Sequence, residues 1–146
     1  MFKLNTILLL VVTSYLTGCA SVPMASIQED QKRKEFSSPS SGYSGIYIYR
    51  NSSFGAALKK SLFINDELIG ETARMTYYFK EVKPGHHKLS TESEFSNNNL
   101  MLETKTGKNY FVQQYIKMGA FVGGANLELK SEEEGKKGVL ECKLAK

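Results

Sequence analysis

The chain has 146 residues, 41% of them hydrophobic, with 19 Lys and Arg residues against 15 Asp and Glu residues. This length fits one domain of ordinary size with a short extension. Removing residues 1–18 takes away one basic residue, Lys3, so 18 basic against 15 acidic residues leave a net charge of +3. That charge is too small to indicate nucleic-acid binding.

The first 18 residues have the pattern of a secretory signal peptide. Lys3 supplies a short positive end, and residues 7–12 form the centre of an apolar core that reaches Leu16. A transmembrane helix needs about 20 apolar residues, so this core is too short to span a bilayer. The sequence therefore predicts export, with a signal peptide over residues 1–18.

The apolar core ends in a short motif that places a cysteine after small residues: Leu16, Thr17, Gly18 and Cys19. This motif resembles the lipobox of bacterial lipoproteins. The resemblance implies that Cys19 receives a diacylglyceryl group, becomes residue one of the mature chain, and is N-acylated with a fatty acid such as palmitate. Each buried methylene contributes about 0.8 kcal/mol, so two or three long chains anchor a protein firmly in a membrane. The alternative is an uncleaved or ordinary signal peptide with an incidental cysteine.

The residues after the cysteine bear on membrane sorting. In Gram-negative lipoproteins, an aspartate directly after the lipidated cysteine generally retains the protein in the inner membrane. Here Ala20 and Ser21 occupy the sorting positions. The resemblance therefore implies, for a Gram-negative host, insertion into the periplasmic leaflet of the outer membrane, with the folded domain in the periplasm.

Residues 19–43 differ in composition from the rest of the chain and are predicted to form a lipid-anchored flexible tether. Serines are interspersed with Pro23, Pro39 and a charged patch over residues 29–35. Burial of such side chains offsets little of the entropy lost when they become ordered. Ser26 and Glu29 have the spacing of a capping box, so a short helix to about Phe36 is an alternative for part of this segment.

Short strand-like segments separated by turn residues follow in residues 44–146. The alternating Ile and Tyr residues at 46–49 suit a strand buried on both faces. Asn65 and Asp66 predict a two-residue hairpin, since both residues tolerate positive φ. Pro84 and Gly85 occupy the positions that a type II turn favours. The other strand segments are predicted at residues 62–64, 67–69, 76–82, 86–91, 100–104, 110–118 and 126–130.

The spacing of these segments predicts an all-β domain over residues 44–146, an antiparallel β-sandwich or curled sheet of about seven to eight short strands. No helical segment between the strands is long enough for a parallel crossover. Ser131 and Glu134 again have the spacing of a capping box, with acidic residues first and lysines later. This pattern predicts a short C-terminal helix.

A second resemblance covers about residues 43–146 and rests on four short motifs, which are Leu68-Ile69-Gly70, Tyr78-Phe79, residues 82–89 and residues 107–112. They resemble a family of bacterial lipoproteins known as domain of unknown function 2846. The Pro-Gly-x-His turn at Pro84 is also similar to small β-sandwich surface-layer modules named for a Pro-Glu-Gly-Ala motif, although this chain lacks the tetrapeptide. The resemblance implies a fold and no particular activity.

The histidines and the second cysteine are the first candidates for chemistry. His86 and His87 would point to opposite faces of a strand and could not share one metal ion, so His87 is expected to be a hydrogen-bonded side chain on an apolar face. Cys142 has no partner if Cys19 carries lipid, and a packed thiol is favoured over a free or intermolecularly paired one. We expect no metal and no cofactor beyond the lipid.

Glycines, carboxylates and tyrosines are the remaining candidates. Residues 119–124 are glycine-rich but lack the ending of a phosphate-binding loop, so a bulge or sheet corner is expected. Cross-strand aromatic pairing is favoured over a sugar- or peptide-binding platform for the tyrosines, which are Tyr43, Tyr47, Tyr49, Tyr77, Tyr78, Tyr110 and Tyr115. Solvent-facing positions are expected for the strand carboxylates, which are Glu67, Glu71, Glu81, Glu92, Glu94 and Glu103.

Two functional hypotheses follow. The leading one is a non-catalytic, lipid-anchored envelope protein that binds another envelope component, either protein or glycan. The alternative is an envelope hydrolase whose site is assembled from dispersed residues.

Overall fold

The computed structural model describes residues 20–146, so the predicted signal peptide and Cys19 lie outside the described residues. The described chain forms two helices and nine strands. In chain order these are α1 (Ile27–Arg33), β1 (Ser44–Arg50), β2 (Lys60–Ile64), β3 (Glu67–Thr72), β4 (Thr76–Val82), β5 (Gly85–Glu92), β6 (Asn97–Thr104), β7 (Asn109–Lys117), β8 (Gly124–Lys130), α2 (Glu132–Leu140) and β9 (Lys143–Leu144).

The strands form a two-layer arrangement, which confirms the all-β prediction and the short C-terminal helix. One sheet has five strands in the order β8-β7-β1-β4-β9, and the other has four in the order β3-β2-β5-β6. Every residue of β1 is buried, as its alternating Ile and Tyr residues predict. The reason is its central position, because the second sheet covers one face of β1 and helix α2 packs against the five-stranded sheet from the other side.

The strands pair antiparallel, as predicted, except in two pairs. β1 and β7 are parallel, with Gly45 opposite Asn109, and β4 and β9 are parallel, with Thr76 opposite Lys143. The connection between parallel strands usually contains a helix, and no long helical segment separates these strands. Here the connection between β1 and β7 consists of strands: β2 and β3 in the other sheet, β4 in the same sheet, and β5 and β6 in the other sheet again.

A mainly aliphatic core fills the space between the two sheets. Ile46, Ile48 and Val112 contribute from the five-stranded sheet, and Leu62 and Leu89 contribute from the four-stranded one. Because strand side chains alternate between faces, the intervening residues of β1 and β7 point away from this core. The two faces of the central strands are therefore buried against different partners.

An aromatic layer covers the outer face of the five-stranded sheet. The Tyr47 ring lies 5.0 Å from Phe111 and 4.6 Å from Phe79, centroid to centroid, and Phe36 packs over it at 5.5 Å. Helices α1 and α2 border this layer, and both begin with the predicted capping boxes, at Ser26 and Ser131. Among residues 20–146, neither helix is long and apolar enough to cross a bilayer.

The structure differs from the prediction of a flexible tether at its described residues, 20–43. Val22 is buried, Met24 forms an antiparallel bridge with Ala145, and the Ala25 N–H donates to the Leu144 carbonyl over 2.9 Å. The α1 helix ends at Arg33, and the following Phe36 packs into the aromatic layer. Apolar residues spaced through a polar segment thus find partners on β9 and the sheet, which composition alone does not reveal.

The two predicted turns have different outcomes. Asn65 and Asp66 have φ values of 52° and 67°, which confirms the two-residue hairpin. Gly85 has a positive φ, as expected, but its value of 143° is far from the roughly +80° of a type II turn. Gly85 instead opens β5, where it pairs with Thr104.

Candidate functional site

Strand direction defines two ends of the sandwich. We call the end that holds residues 73–75, between β3 and β4, the proximal end, because Ala20 and Ser21 lie there. These two predicted sorting residues help to line a cleft of about 350 Å³ with Arg74 and Lys143. The lipobox residues Leu16, Thr17, Gly18 and Cys19 are outside the described residues.

The opposite, distal end holds the β2–β3 turn at residues 65–66 and the β4–β5 connection at residues 83–84. A second cleft, of about 370 Å³, opens there. Its lining combines both signs of charge with an apolar wall and consists of Ile64, Asn65, Glu67, Ile69, Lys80, Glu81, Val82, Lys83 and His87. Such a cleft can bind a polar ligand through its lysines and carboxylates.

His87 fixes the wall of this distal cleft. Its Nδ1 accepts from the Asn65 side-chain amide over 3.0 Å, and its Nε2 donates to the Lys83 carbonyl over 2.8 Å. The Asn65 Oδ1 accepts from the Lys88 N–H, which fixes the orientation of the amide and hence the Nε2–H tautomer of His87. The predicted hydrogen-bonded His87 is confirmed, and both of its ring nitrogens are engaged in holding two turns together.

His86 lies on the other face of β5 and is exposed, whereas His87 is buried. The pair therefore diverges, as the strand geometry predicts. Within residues 20–146, no group of three or more His, Cys, Asp or Glu side chains is placed to hold a metal ion.

The charged groups around the distal cleft differ in how free they are to bind a ligand. The Glu81 carboxylate accepts from the backbone N–H and the hydroxyl of Ser40, and these hydrogen bonds hold its pKa below the usual value. The Lys83 ammonium lies 4.0 Å above the ring of Tyr43. Lys80, which the structure places on β4, also lines the cleft. Lys80 and Lys83 are thus the groups best placed to meet an anionic ligand.

Cys142 is a packed thiol, as predicted. It is buried in the aromatic layer, and burial raises its pKa to about 12. The neutral thiol is the form present near neutral pH, and a thiol in that form is a poor nucleophile.

The tyrosines behave mainly as core residues. Tyr47, Tyr49, Tyr77 and Tyr78 are all buried, and the first three belong to the aromatic layer. Their burial favours core positions over an exposed platform, and aromatic pairing is confirmed for Tyr47 and Tyr77, whose ring centroids lie 6.2 Å apart. The Tyr47 hydroxyl donates to the Arg33 carbonyl over 3.0 Å, which connects the sheet to the end of α1.

Glu94 departs from the expected solvent-facing role of the strand carboxylates. It lies in the β5–β6 loop, and its carboxylate accepts from the backbone N–H groups of Ala120, Phe121 and Val122 in the β7–β8 loop. Desolvation raises its pKa, but the three donors outweigh this effect, so the pKa of Glu94 is lowered. The glycine-rich segment, expected to be a bulge or sheet corner, is a loop whose backbone N–H groups converge on the Glu94 carboxylate.

Arg50 is a second residue whose role the sequence pattern does not reveal. It is fully buried at the end of β1, and its guanidinium donates to the carbonyls of Leu58 over 2.8 Å and Gly55 over 2.6 Å. Burial lowers its pKa. Arg50 thereby holds the β1–β2 loop against the proximal end.

Comparison with known proteins identifies the family of this chain. Residues 40–125, more than half of the chain, match the family described as Protein of unknown function (DUF2846). The chain belongs to this family. A relative from Haemophilus influenzae, described as an uncharacterized protein, is 55% identical over 134 residues, covering 92% of this chain and 80% of the relative. No solved structure matches the chain.

Proposed function

We propose that this family member is a lipid-anchored cell-envelope protein whose β-sandwich is a non-catalytic binding or structural module. The observation that supports the proposal best is the docking of residues 20–36 onto the sandwich, through the Met24–Ala145 bridge and the Tyr47–Arg33 hydrogen bond. Ala20 is one peptide bond from Cys19, so the two Cα atoms lie about 3.8 Å apart. A lipid on Cys19 would therefore hold the proximal end next to the membrane.

This arrangement gives the domain a fixed orientation. The distal cleft, with Lys80 and Lys83, opens at the end opposite Ala20. In a protein anchored through Cys19 it would face away from the lipid. On the basis of Ala20 and Ser21, we propose that the lipid anchor inserts into the periplasmic leaflet of the outer membrane. The module then lies in the periplasm, with the distal cleft directed toward the peptidoglycan.

The proposed partner is an envelope glycan or peptide that carries carboxylates, since Lys80 and Lys83 are the cations that line the distal cleft. Charge-assisted hydrogen bonds to carboxylates are the stronger class of polar contact. The hydrogen bonds of His87 favour a binding role for the cleft over acid-base catalysis, because both ring nitrogens already have partners within the protein.

Labelling of the lipid anchor tests the first part of the proposal. We expect a clickable fatty acid to label the wild type and Cys142→Ser equally, and to leave Cys19→Ser unlabelled and unprocessed. The chain contains only these two cysteines, so Cys142→Ser is the matched control. Equal labelling of Cys19→Ser and the wild type would refute the anchor.

Membrane fractionation tests the location. We expect the mature wild type in the outer-membrane fraction and the Ala20→Asp variant in the inner-membrane fraction. Ser21→Ala, at the neighbouring exposed position, serves as the control and should follow the wild type. Recovery of the wild type with inner-membrane markers would overturn the assignment.

Cosedimentation with purified peptidoglycan tests the role of the distal cleft. A Lys80→Glu, Lys83→Glu double variant should sediment several-fold less than the wild type. Lys108→Glu and Lys117→Glu, which change the charge equally at exposed sites outside the cleft, form the matched control. Equal loss in both double variants would show that net charge, and not the cleft, determines the interaction.

A further inference from the structure

Five apolar side chains are exposed on three loops of the sandwich. Their exposed fractions are 53% for Phe54, 81% for Phe95, 82% for Met118, 86% for Phe121 and 54% for Val122. Single exposed apolar residues are common on soluble proteins, but a cluster of large ones marks a surface that binds a partner or a membrane.

All three loops lie at the proximal end. Arg50 of β1 is opposite Thr76 of β4, so the β1–β2 loop leaves the sheet at the end where residues 73–75 join the two layers. β7 runs parallel to β1, so the β7–β8 loop lies at that end too. β5 follows the same direction, because its partner β2 begins at Lys60 opposite Thr72, next to residues 73–75. The β5–β6 loop completes the set.

Ala20 lies at the same end, beside β9. The five-stranded sheet separates β9 from β8 by four strand spacings of about 4.8 Å, or roughly 19 Å in total. The apolar loops and the chain segment that follows Cys19 are therefore on opposite sides of one end of the sandwich. A flat surface that contacts one of them can also contact the other.

The loops are held in place by the residues whose roles the sequence did not reveal. Glu94 joins the β5–β6 loop to the β7–β8 loop through three backbone N–H groups. Arg50 holds the β1–β2 loop by its carbonyls, and Leu58 of that loop lies against Gly123. Because these contacts fix the loop backbones, the loops cannot fold back onto the domain to bury the phenylalanine rings.

We propose that these loops form a second, non-covalent membrane contact, in which Phe95, Met118 and Phe121 enter the leaflet that holds the lipid on Cys19. This inference rests on the proposed lipid anchor. Interfacial apolar residues enter about 5–10 Å into the headgroup and acyl boundary. The lipid on Cys19 and the apolar loops then contact the bilayer on opposite sides of the proximal end. Together they fix the tilt of the sandwich and hold the distal cleft away from the bilayer.

Fluorescence quenching by lipid tests this contact. The lipidated full chain carrying Phe121→Cys is labelled with a thiol-reactive fluorophore and reconstituted into phosphatidylethanolamine–phosphatidylglycerol vesicles that contain acyl-brominated lipid. Lys108→Cys, in the exposed β6–β7 loop at the distal end, is the matched control. Cys142 is 1% exposed, and the labelled wild type measures any background from it.

We expect brominated lipid to quench position 121 several-fold more than position 108, and soluble iodide to quench in the opposite order. Adding Phe95→Asp should reduce the lipid quenching at position 121. Leu68 on β3 is 58% exposed, and Leu68→Asp should leave the quenching unchanged. Both substitutions are at exposed sites, so neither removes core packing.

Mass spectrometry of the amino-terminal peptide separates the possible failures. A chain without lipid on Cys19 would overturn the anchor and this inference together. A lipidated chain whose position 121 is open to iodide would overturn this inference alone. Protection from iodide without quenching by brominated lipid would show that a second copy of the chain covers the loops, which also overturns the membrane contact.

Discussion

The two faces of the five-stranded sheet are buried in different ways. The inner face presents Ile46, Ile48 and Val112 to the other sheet, and most of its neighbours are aliphatic. The buried Gln114 amide adds one polar bridge between the sheets, to Thr72 and Thr91. The outer face presents Tyr47, Tyr49 and Phe111 to the region of the helices, where rings and hydroxyl groups meet the helix backbone. The inner face therefore contributes mainly apolar burial, whereas the outer face also positions α1 and the segment that leads to Cys19.

The inner face should therefore determine the stability of the sandwich, and the outer face its orientation relative to residues 20–36. Losing inner packing should unfold the sandwich, because β1 is central to the fold. Losing an outer contact should first loosen the helices and residues 20–36, and with them the fixed position of the proximal end. The following predictions compare the two faces.

The largest effect is expected at the inner face. Ile48→Ala should reduce the free energy of unfolding by about 2–5 kcal/mol, because it leaves a cavity between the sheets at a fully buried site. Denaturant titration measures the change. Ile27→Ala, at an exposed position of α1, is the control and should stay close to the wild type. A comparable loss in both variants would contradict the assigned core.

Overpacking tests how closely α2 approaches the outer face. A Cβ on Gly138 would overlap the Tyr49 ring, so Gly138→Ala should destabilise the domain by about 1–3 kcal/mol. Alanine in an open helix position would instead stabilise by about 1 kcal/mol, so the sign of the change is informative. Lys137→Ala, at the preceding exposed residue, should have little effect. A more stable Gly138→Ala variant would mean that α2 is not closely seated.

Removing one hydroxyl tests the connection between the sheet and α1. Tyr47→Phe loses the hydrogen bond to the Arg33 carbonyl and should cost about 0.5–1.5 kcal/mol. Hydrogen exchange should accelerate selectively in α1. Ile48→Val, which costs a similar amount on the inner face, should not show this selectivity. Uniform acceleration in both variants would argue against a separable outer layer.

Alkaline pH should weaken the outer face first. Burial raises the pKa of Tyr47 and Tyr49 to about 12 from 10.0, and that of Cys142 to about 12 from 9.0. The unfolded chain loses these protons at lower pH than the folded one, so stability is retained below pH 9.0 and declines as pH rises toward 12. Cys142→Ala should flatten the early part of the decline in a denaturation series. An unchanged profile would exclude the thiol as a contributor.

Local sequence patterns predicted the local features of this fold well. The alternation at residues 46–49 predicted a strand buried on both faces, and the Ser26 and Ser131 capping boxes predicted both helix starts. The adjacency of His86 and His87 predicted that they diverge. Each of these patterns lies within four positions along the chain, where local backbone geometry sets the direction of the side chains and the hydrogen bonds of the caps. The lipidation of Cys19 stays a prediction.

The features that the sequence did not predict depend on distant partners. Composition indicated a tether at residues 19–43, but Met24 pairs with Ala145 and Phe36 joins the aromatic layer. A carboxylate expected in solvent, Glu94, instead organises a loop formed 26 or more residues later. A polar or charged residue does not by itself indicate its hydrogen-bond partners, because the groups that pair with it come from distant parts of the chain.

The sequence by itself determined where β1 to β8, the Asn65-Asp66 turn and both helix starts lie, together with the motif that predicts export and lipidation. Only the tertiary structure decided that β1 and β7 are parallel, that residues 20–36 belong to the domain, and that Ala20 shares one end of the sandwich with Phe95 and Phe121. The physical reason is the range of the interactions. Caps and turns are satisfied within a few residues, whereas strand order and the grouping of loops follow from how two sheets bury their common apolar faces.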